Sequence, residues 1–353
     1  MARIGIIGTG LFALALLALG VWIAAPAPVT ETGEDDDYQR VTFATDWKAQ
    51  AEHGGFYQAV AKGFYAARGL EVAIVPGGPG ANVPQLMAGG AVDFGMGSNS
   101  FIPLNLVEAG VPVRAVMAVF QKDPQVLIAH PREDVASLAD MKGKPIMLAD
   151  ASITAFWVWL RAKYGFTETQ IRKYTYNLAP FLVDPSAIQQ GYVTSEPYLI
   201  ETETGVAPQV FLLADNGYPG YATMVLAPDA WIEESPEVVQ AFVDGTIEGW
   251  YDYLHGDPSP ANALILADNP EMTPDVLASA REKMLAYELA TGGDAKTLGI
   301  GAMTQDRWRA FFEVMAENGV YDRDLDWAAA FTTEFVNRGP GMRRMPPDAD
   351  ATP

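Results

Sequence analysis

From Val41 onward, short apolar runs alternate with stretches that repeat their apolar residues at helical spacing. The strand-like runs cover 41–45, 70–75, 92–96, 113–120, 126–130 and 145–149, separated by Gly, Pro, Asn and Asp. Between them, 54–68, 83–89 and 98–109 read as helices, the first through Tyr57, Val60, Ala61, Phe64 and Tyr65. Such alternation predicts a parallel α/β sheet. A second unit opens near Gln125 and takes in 145–149, an aromatic helix at 154–164, and strands at 171–176, 191–194 and 210–213. The run 221–227 reads as a strand returning to the first unit. Beyond Pro236 the pattern turns helical, at 238–254, 260–267, 274–290 and 305–317. No repeat of fixed period runs through the chain.

Two α/β lobes joined by crossing strands predict a clamshell whose ligand lies between the lobes and is buried by closure. Lobe 1 is expected from 41–124 and 221–338, the latter with the C-terminal helices, and lobe 2 from 125–220. Residues 1–27 precede an acidic tether at 28–40, and a Pro- and Asp-rich tail follows at 339–353.

The first strand stops at Asp46-Trp47, crosses a polar loop and enters a helix at Gly54-Gly55. Side chains there stand at the carboxyl end of a sheet, where open α/β proteins bind ligands. Free N–H groups at the two glycines suit an acceptor on a bound molecule. Trp47 fits either a core position or a ring-stacking wall, since a flat ring offers large area at small entropy cost. Asp46 fits either a cap or an acceptor for an amino group on a heterocycle; the switch-point position favours binding for both. His53, one of three histidines, fits either a structural position or a ligand contact, and its place in this segment favours the contact; His130 and His255 lie in unrelated segments, so no metal site is expected. Of Phe56 and Tyr57, one is expected to pack inward and the other to line the cleft. The segment from Gly95 through Gly97, Ser98 and Asn99 to Ser100 ends the third strand and starts a helix; small residues there bring backbone close to a ligand, and Ser98 or Asn99 can cap the helix. Gln121 sits where a strand meets the crossing and can reach the cleft. In lobe 2, Pro197 suits a first helical turn, which makes Ser195 or Glu196 a cap.

Asp46-Trp47, His53-Gly54-Gly55-Phe56-Tyr57 and the following Ala61-Lys62-Gly63-Phe64-Tyr65-Ala66-Ala67-Arg68-Gly69-Leu70-Glu71-Val72 resemble the opening of periplasmic solute-binding proteins related to the thiamine-precursor and sulfonate/taurine binders. Gly89 to Gly95, Leu138 to Gly143 and Gly191 to Tyr198 match further on and in order, so the resemblance spans about 41–226. It implies a bilobal periplasmic-binding-protein type II clamshell with a helical C-terminal region. It implies too that Glu196 projects across the cleft to hydrogen-bond the ligand; Tyr198 and Tyr221 would add an aromatic wall. The implied partners are a small-molecule solute, an ABC permease and its ATPase; a monomer without cofactor is expected.

Composition narrows the function classes. A formal charge of −21 argues against nucleic acid or an anionic membrane as partner, because both require basic surface. The absence of cysteine excludes disulfides, thiolate metal sites and a lipoprotein anchor. Arg3 followed by the apolar run 4–25 and the acids at 34–37 reads as an export signal, placing the protein in the periplasm. Ala25-Pro26-Ala27 is a small-residue cleavage pattern followed by an unfavourable Pro28, so cleavage and retention as an anchor both stay open. Gly8-Thr9-Gly10-Leu11-Phe12-Ala13 mimics a dinucleotide fingerprint, but no strand precedes it and the following residues are apolar all round. Gly77-Gly78-Pro79-Gly80 lacks the Gly-Lys-Ser/Thr of a phosphate loop, and the acids at 322–326 lack the sixth-place glycine of a calcium loop.

The leading expectation is a solute-binding protein for a small planar heterocycle such as a thiamine pyrimidine precursor. Sulfonates call for basic residues or N–H nests, and the cleft segments supply only Lys48; a sulfonate or flavin solute is the alternative within the class. The enzyme alternative is resemblance to the fungal thiamine-pyrimidine synthase, which draws on a lysine-bound pyridoxal phosphate and its own histidine. Alignment on Val92-Asp93-Phe94-Gly95 puts Gly97 at the lysine place and Phe101 at the histidine place, which favours a binder over an enzyme. A membrane-tethered sensor is a third class, with no signalling domain in the chain to serve it.

Overall fold

The computed structural model describes residues 38–339. The apolar run 4–25 read as an export signal, the expected tether up to residue 37 and the tail from residue 340 lie outside the described residues.

The strands are β1 (Gln39–Ala44), β2 (Leu70–Val75), β3 (Phe94–Asn99), β4 (Val113–Phe120), β5 (Gln125–Ala129), β6 (Ile146–Leu148), β7 (Ile171–Lys173), β8 (Ile188–Tyr192), β9 (Gln209–Leu212) and β10 (Ala222–Pro228). They form two five-stranded sheets, ordered β2-β1-β3-β10-β4 and β7-β6-β8-β5-β9. Two α/β lobes built on these sheets are the bilobal architecture expected.

The sheets are mixed, which corrects the expectation of parallel pairing. β1 pairs β2 and β3 in parallel, and β6 pairs β7 and β8 in parallel. β10 runs antiparallel to β3 and β4, and β5 antiparallel to β8 and β9. The cause is the path of the chain. β4 ends at the cleft, so β5 enters the second sheet from its cleft side; β9 ends at the cleft, so β10 does the same in the first. An apolar run of strand length carries no direction.

Two buried aromatic pairs hold the first sheet against its helices. Phe43 of β1 meets Phe56 at 4.6 Å, and Phe94 of β3 stacks on Phe242 at 4.3 Å. Burying each such ring is worth about 1.5–3 kcal/mol. Phe56 lies on the helix Gly54–Ala61, which packs on the long helix Pro236–His255. At this crossing Gly54 faces the Tyr253 ring and Gly55 the Trp250 ring, and a methyl group on either would collide. Gly249 is equally confined by the Gly55 carbonyl. The Gly54 N–H donates to the Ala51 carbonyl. The glycine pair therefore serves close helix packing, and the Gly54 donor is not free for a ligand. The helix expected over 54–68 ends at Ala61, breaks at Gly63 (φ 72°) and resumes as a 3-10 turn at Ala66–Arg68.

Candidate ligand cleft

β1 ends at Ala44, and the next residues are pinned by local hydrogen bonds. The Thr45 hydroxyl and the Gly77 N–H both donate to the Trp47 carbonyl, each at 3.0 Å. Gly77 lies so close to the Thr45 carbonyl that no side chain fits there. The glycine-rich segment that mimics a phosphate loop is thus the brace under Trp47. The Trp47 ring reaches the other lobe, meeting Tyr176 at 4.9 Å between centroids and 48° between planes. Tyr176 follows β7 and contacts Tyr174 at 5.4 Å. It holds φ at 60°, a region costly for a non-glycine residue, and is 52% exposed at the mouth of the contact.

Carboxyl groups gather beside these rings. Asp46 Oδ1 lies 3.3 Å from His53 Nε2, and His53 is fully buried with Nδ1 unpartnered. Glu52, in the 3-10 turn Ala51–His53, accepts a hydrogen bond from the Thr194 hydroxyl of lobe 2. Burial pushes the Glu52 carboxyl up, opposed by the Thr194 bond. Glu196 opens the helix Glu196–Thr204, with Pro197 in its first turn. Its carboxylate accepts the Tyr192 N–H at 2.8 Å and the Tyr174 hydroxyl at 3.3 Å. Burial raises Glu196 as well, and the Glu52 charge adds to that rise. Lys48 is ion-paired with Glu271 at 2.6 Å, turned to the C-terminal helices.

Asp46, Trp47, His53 and Glu196 therefore converge between the sheets. Other expected residues are held elsewhere. Tyr57 is buried and donates to Asp268 at 2.8 Å, anchoring the helix Ser259–Asp268. Phe56 and Tyr57 both face inward, against the expected split. Gln121 is buried and donates to the carbonyls of Ala118 and Ala302. The Tyr221 hydroxyl donates to Asp294 at 3.0 Å and accepts the Thr304 N–H, with the Arg307 guanidinium 4.0 Å from its ring. Gly97 packs under Leu226 of β10, 3.2 Å from where a side chain would begin. Asn99, the last residue of β3, accepts the Phe101 N–H at 3.0 Å, and Ser98 is half-buried beside it; the cap position of the next helix is Ser100, not Ser98 or Asn99. Tyr198 lines a groove of about 690 Å3 between Pro197 and Glu201 on one side and Ala278, Glu282 and Tyr287 on the other.

Sequence reasoning missed Glu52, Thr194, Tyr174 and Tyr176. Glu52 and Thr194 lie inside the two matching segments, so their position was the available signal. Tyr174 and Tyr176 sit in a run read as strand, and nothing local marks the left-handed turn.

The riboflavin-binding protein RibY of Chloroflexus aurantiacus is 29% identical over 331 residues, 90% of each chain. The formylaminopyrimidine-binding protein of Halalkalibacterium halodurans is 24% identical over 285 residues, 79% of this chain and 85% of that one. The periplasmic aliphatic sulphonate binding protein SsuA from Escherichia coli shares the fold, with a TM-score of 0.63 at 15% identity over 82% of this chain and 91% of that one. The family described as NMT1/THI5 like matches residues 50–261, and the chain belongs to it.

Proposed function

We propose that this protein is the solute-binding component of an ABC importer and takes a small planar heterocycle between its lobes. The observation that carries this reading is the contact of Trp47 with Tyr176, two rings brought from opposite sheets to one point. Flat aromatic walls bind a planar ring through area and quadrupole, and Glu196 stands beside them as an acceptor for an N–H edge. The relatives named for riboflavin and formylaminopyrimidine support a ring ligand. A sulfonate fits less well, since Lys48 is already paired and the groups beside the rings are carboxyls. Binding rather than turnover is supported by Gly97 and Phe101, the first packed under Leu226 and the second buried against Phe311.

The test is calorimetric titration with riboflavin, formylaminopyrimidine and an alkanesulfonate. Binding of a ring compound with quenching of tryptophan fluorescence is expected; binding of the sulfonate alone would overturn the reading. Export, read from Arg3 and the apolar run 4–25, is tested by alkaline phosphatase fused after Tyr38, with activity expected in intact cells.

A further inference from the structure

Two carboxyl groups, one from each lobe, meet in the closed cleft, Glu52 buried and Glu196 half-buried. Glu52 is 4% exposed and bonded to Thr194 from across the cleft. Glu196 is fixed by the Tyr192 N–H and the Tyr174 hydroxyl. The groups facing Glu52 are Asp46, His53, Tyr192, Thr194, Glu196 and Tyr253, and those facing Glu196 are Glu52, Tyr174, Tyr176 and the Tyr192 N–H. Among the described residues neither carboxylate is paired with lysine or arginine: Lys48 is bound to Glu271, and Arg307 donates to the Pro219 and Gly220 carbonyls. Holding the Glu52 charge out of water beside the half-buried Glu196 costs several kcal/mol unless a proton or another positive charge joins them.

Two more side chains at this junction hold polar atoms without hydrogen bonds. His53 Nδ1 is buried without a partner next to Glu52. Gln189 of β8 is fully buried with neither amide atom in bonding geometry, although the Tyr174 hydroxyl lies beside it. Unpartnered buried groups in a native site mark contacts completed by something else, a ligand or water.

We propose that Glu52 is a second ligand-reading carboxyl, opposed to Glu196 across the cleft, and that the pair selects ring solutes bearing an amino or cationic edge. This rests on the reading of the cleft as a planar-ring site. A solute with an exocyclic amino group supplies donors to both acceptors, and a protonated ring supplies the missing charge. A solute with oxygen in the same place supplies neither, and leaves the carboxyls facing a third acceptor. The Thr194 hydroxyl is the donor that serves Glu52 when no solute does.

The test is a matched pair, 4-amino-5-hydroxymethyl-2-methylpyrimidine and its 4-oxo counterpart, titrated with riboflavin into wild type and Glu52→Gln. Glutamine has the shape of the neutral carboxyl that burial favours, so the variant is expected to melt within a few degrees of wild type. In wild type the amino compound is expected to bind at least tenfold tighter than the oxo compound, and Glu52→Gln is expected to reduce that gap to threefold or less. A wild-type gap below threefold, or a gap unchanged in Glu52→Gln, overturns the role of Glu52 while ring binding stands. Binding of riboflavin without either pyrimidine does the same. Failure of all three to bind wild type overturns the ring site itself.

Discussion

Trp47 at the end of β1 and Tyr176 beyond β7 meet ring to ring at 4.9 Å, closing the space between the two sheets. A ring held between two others needs about 7–8 Å, twice the contact distance of carbon atoms. Solute entry must therefore part this pair. Trp47→Ala and Tyr176→Ala should each weaken a ring ligand by about 1–3 kcal/mol, by analogy with base stacking. Tyr176→Phe keeps the ring and should bind within a few-fold of wild type. Calorimetry checks both, and unchanged affinity in the two alanine variants places the ligand elsewhere.

Glu196 is held by the Tyr192 N–H and the Tyr174 hydroxyl, so its carboxylate is oriented before a ligand arrives. Glu196→Gln preserves size and one acceptor oxygen. It should cost about 1.5–3 kcal/mol of affinity, the range for a charge-assisted bond. Thermal unfolding without ligand should change little. A large loss of melting temperature with full affinity in the folded fraction would make Glu196 a structural cap only.

Asp123 lies between β4 and β5, where the chain crosses from one sheet to the other. It accepts the Gln125 N–H at 2.9 Å, and burial pushes its carboxyl from 3.8 up to about 7. The folded state thus keeps this proton to a higher pH than the unfolded chain does. Its contribution to stability is greatest below about pH 4, declines as pH rises through 4 to 7, and is level above that window. Each tenfold difference in proton affinity between the folded and unfolded chain corresponds to about 1.4 kcal/mol. Asp123→Asn keeps the acceptor and removes the titration, so denaturant unfolding at pH 5 and 8 should show a smaller fall than wild type. An identical fall in both proteins would remove Asp123 as the cause.

Gly55 sits against the Trp250 ring, and Gly249 against the Gly55 carbonyl. Gly55→Ala cannot be accommodated without moving the helix Gly54–Ala61, which carries the cleft loop at its start. A loss of about 1–3 kcal/mol in unfolding free energy is expected from overpacking. Ligand affinity should fall too, because Glu52 and His53 directly precede this helix. A variant of wild-type stability would show that the crossing can relax.

Periodicity placed most strands and the long helices of the described residues, and left the short helices Ala179–Val183, Asp229–Glu234 and Ala295–Leu298 unassigned. The strands Leu70–Val75 and Val113–Phe120 and the helix Gln305–Glu317 match their apolar runs end to end. The Asp46-Trp47 loop stood out because a strand end before a helix start is a local pattern, whereas His53 and Glu196 were singled out through the family resemblance. What the chain did not disclose is relational. Strand direction in the mixed sheets depends on which end of a lobe the chain enters, and apolar spacing is blind to that. Tyr57 and Tyr221 look like cleft aromatics, yet Asp268 and Asp294, far along the chain, claim their hydroxyls. Glu52 is an ordinary acid in a polar loop until closure sets Thr194 against it, and Tyr176 is the end of a strand until its positive φ turns it toward Trp47. Burial, pairing and charge at a site between two lobes belong to the packed assembly, because only packing removes water from groups that no local sequence brings together.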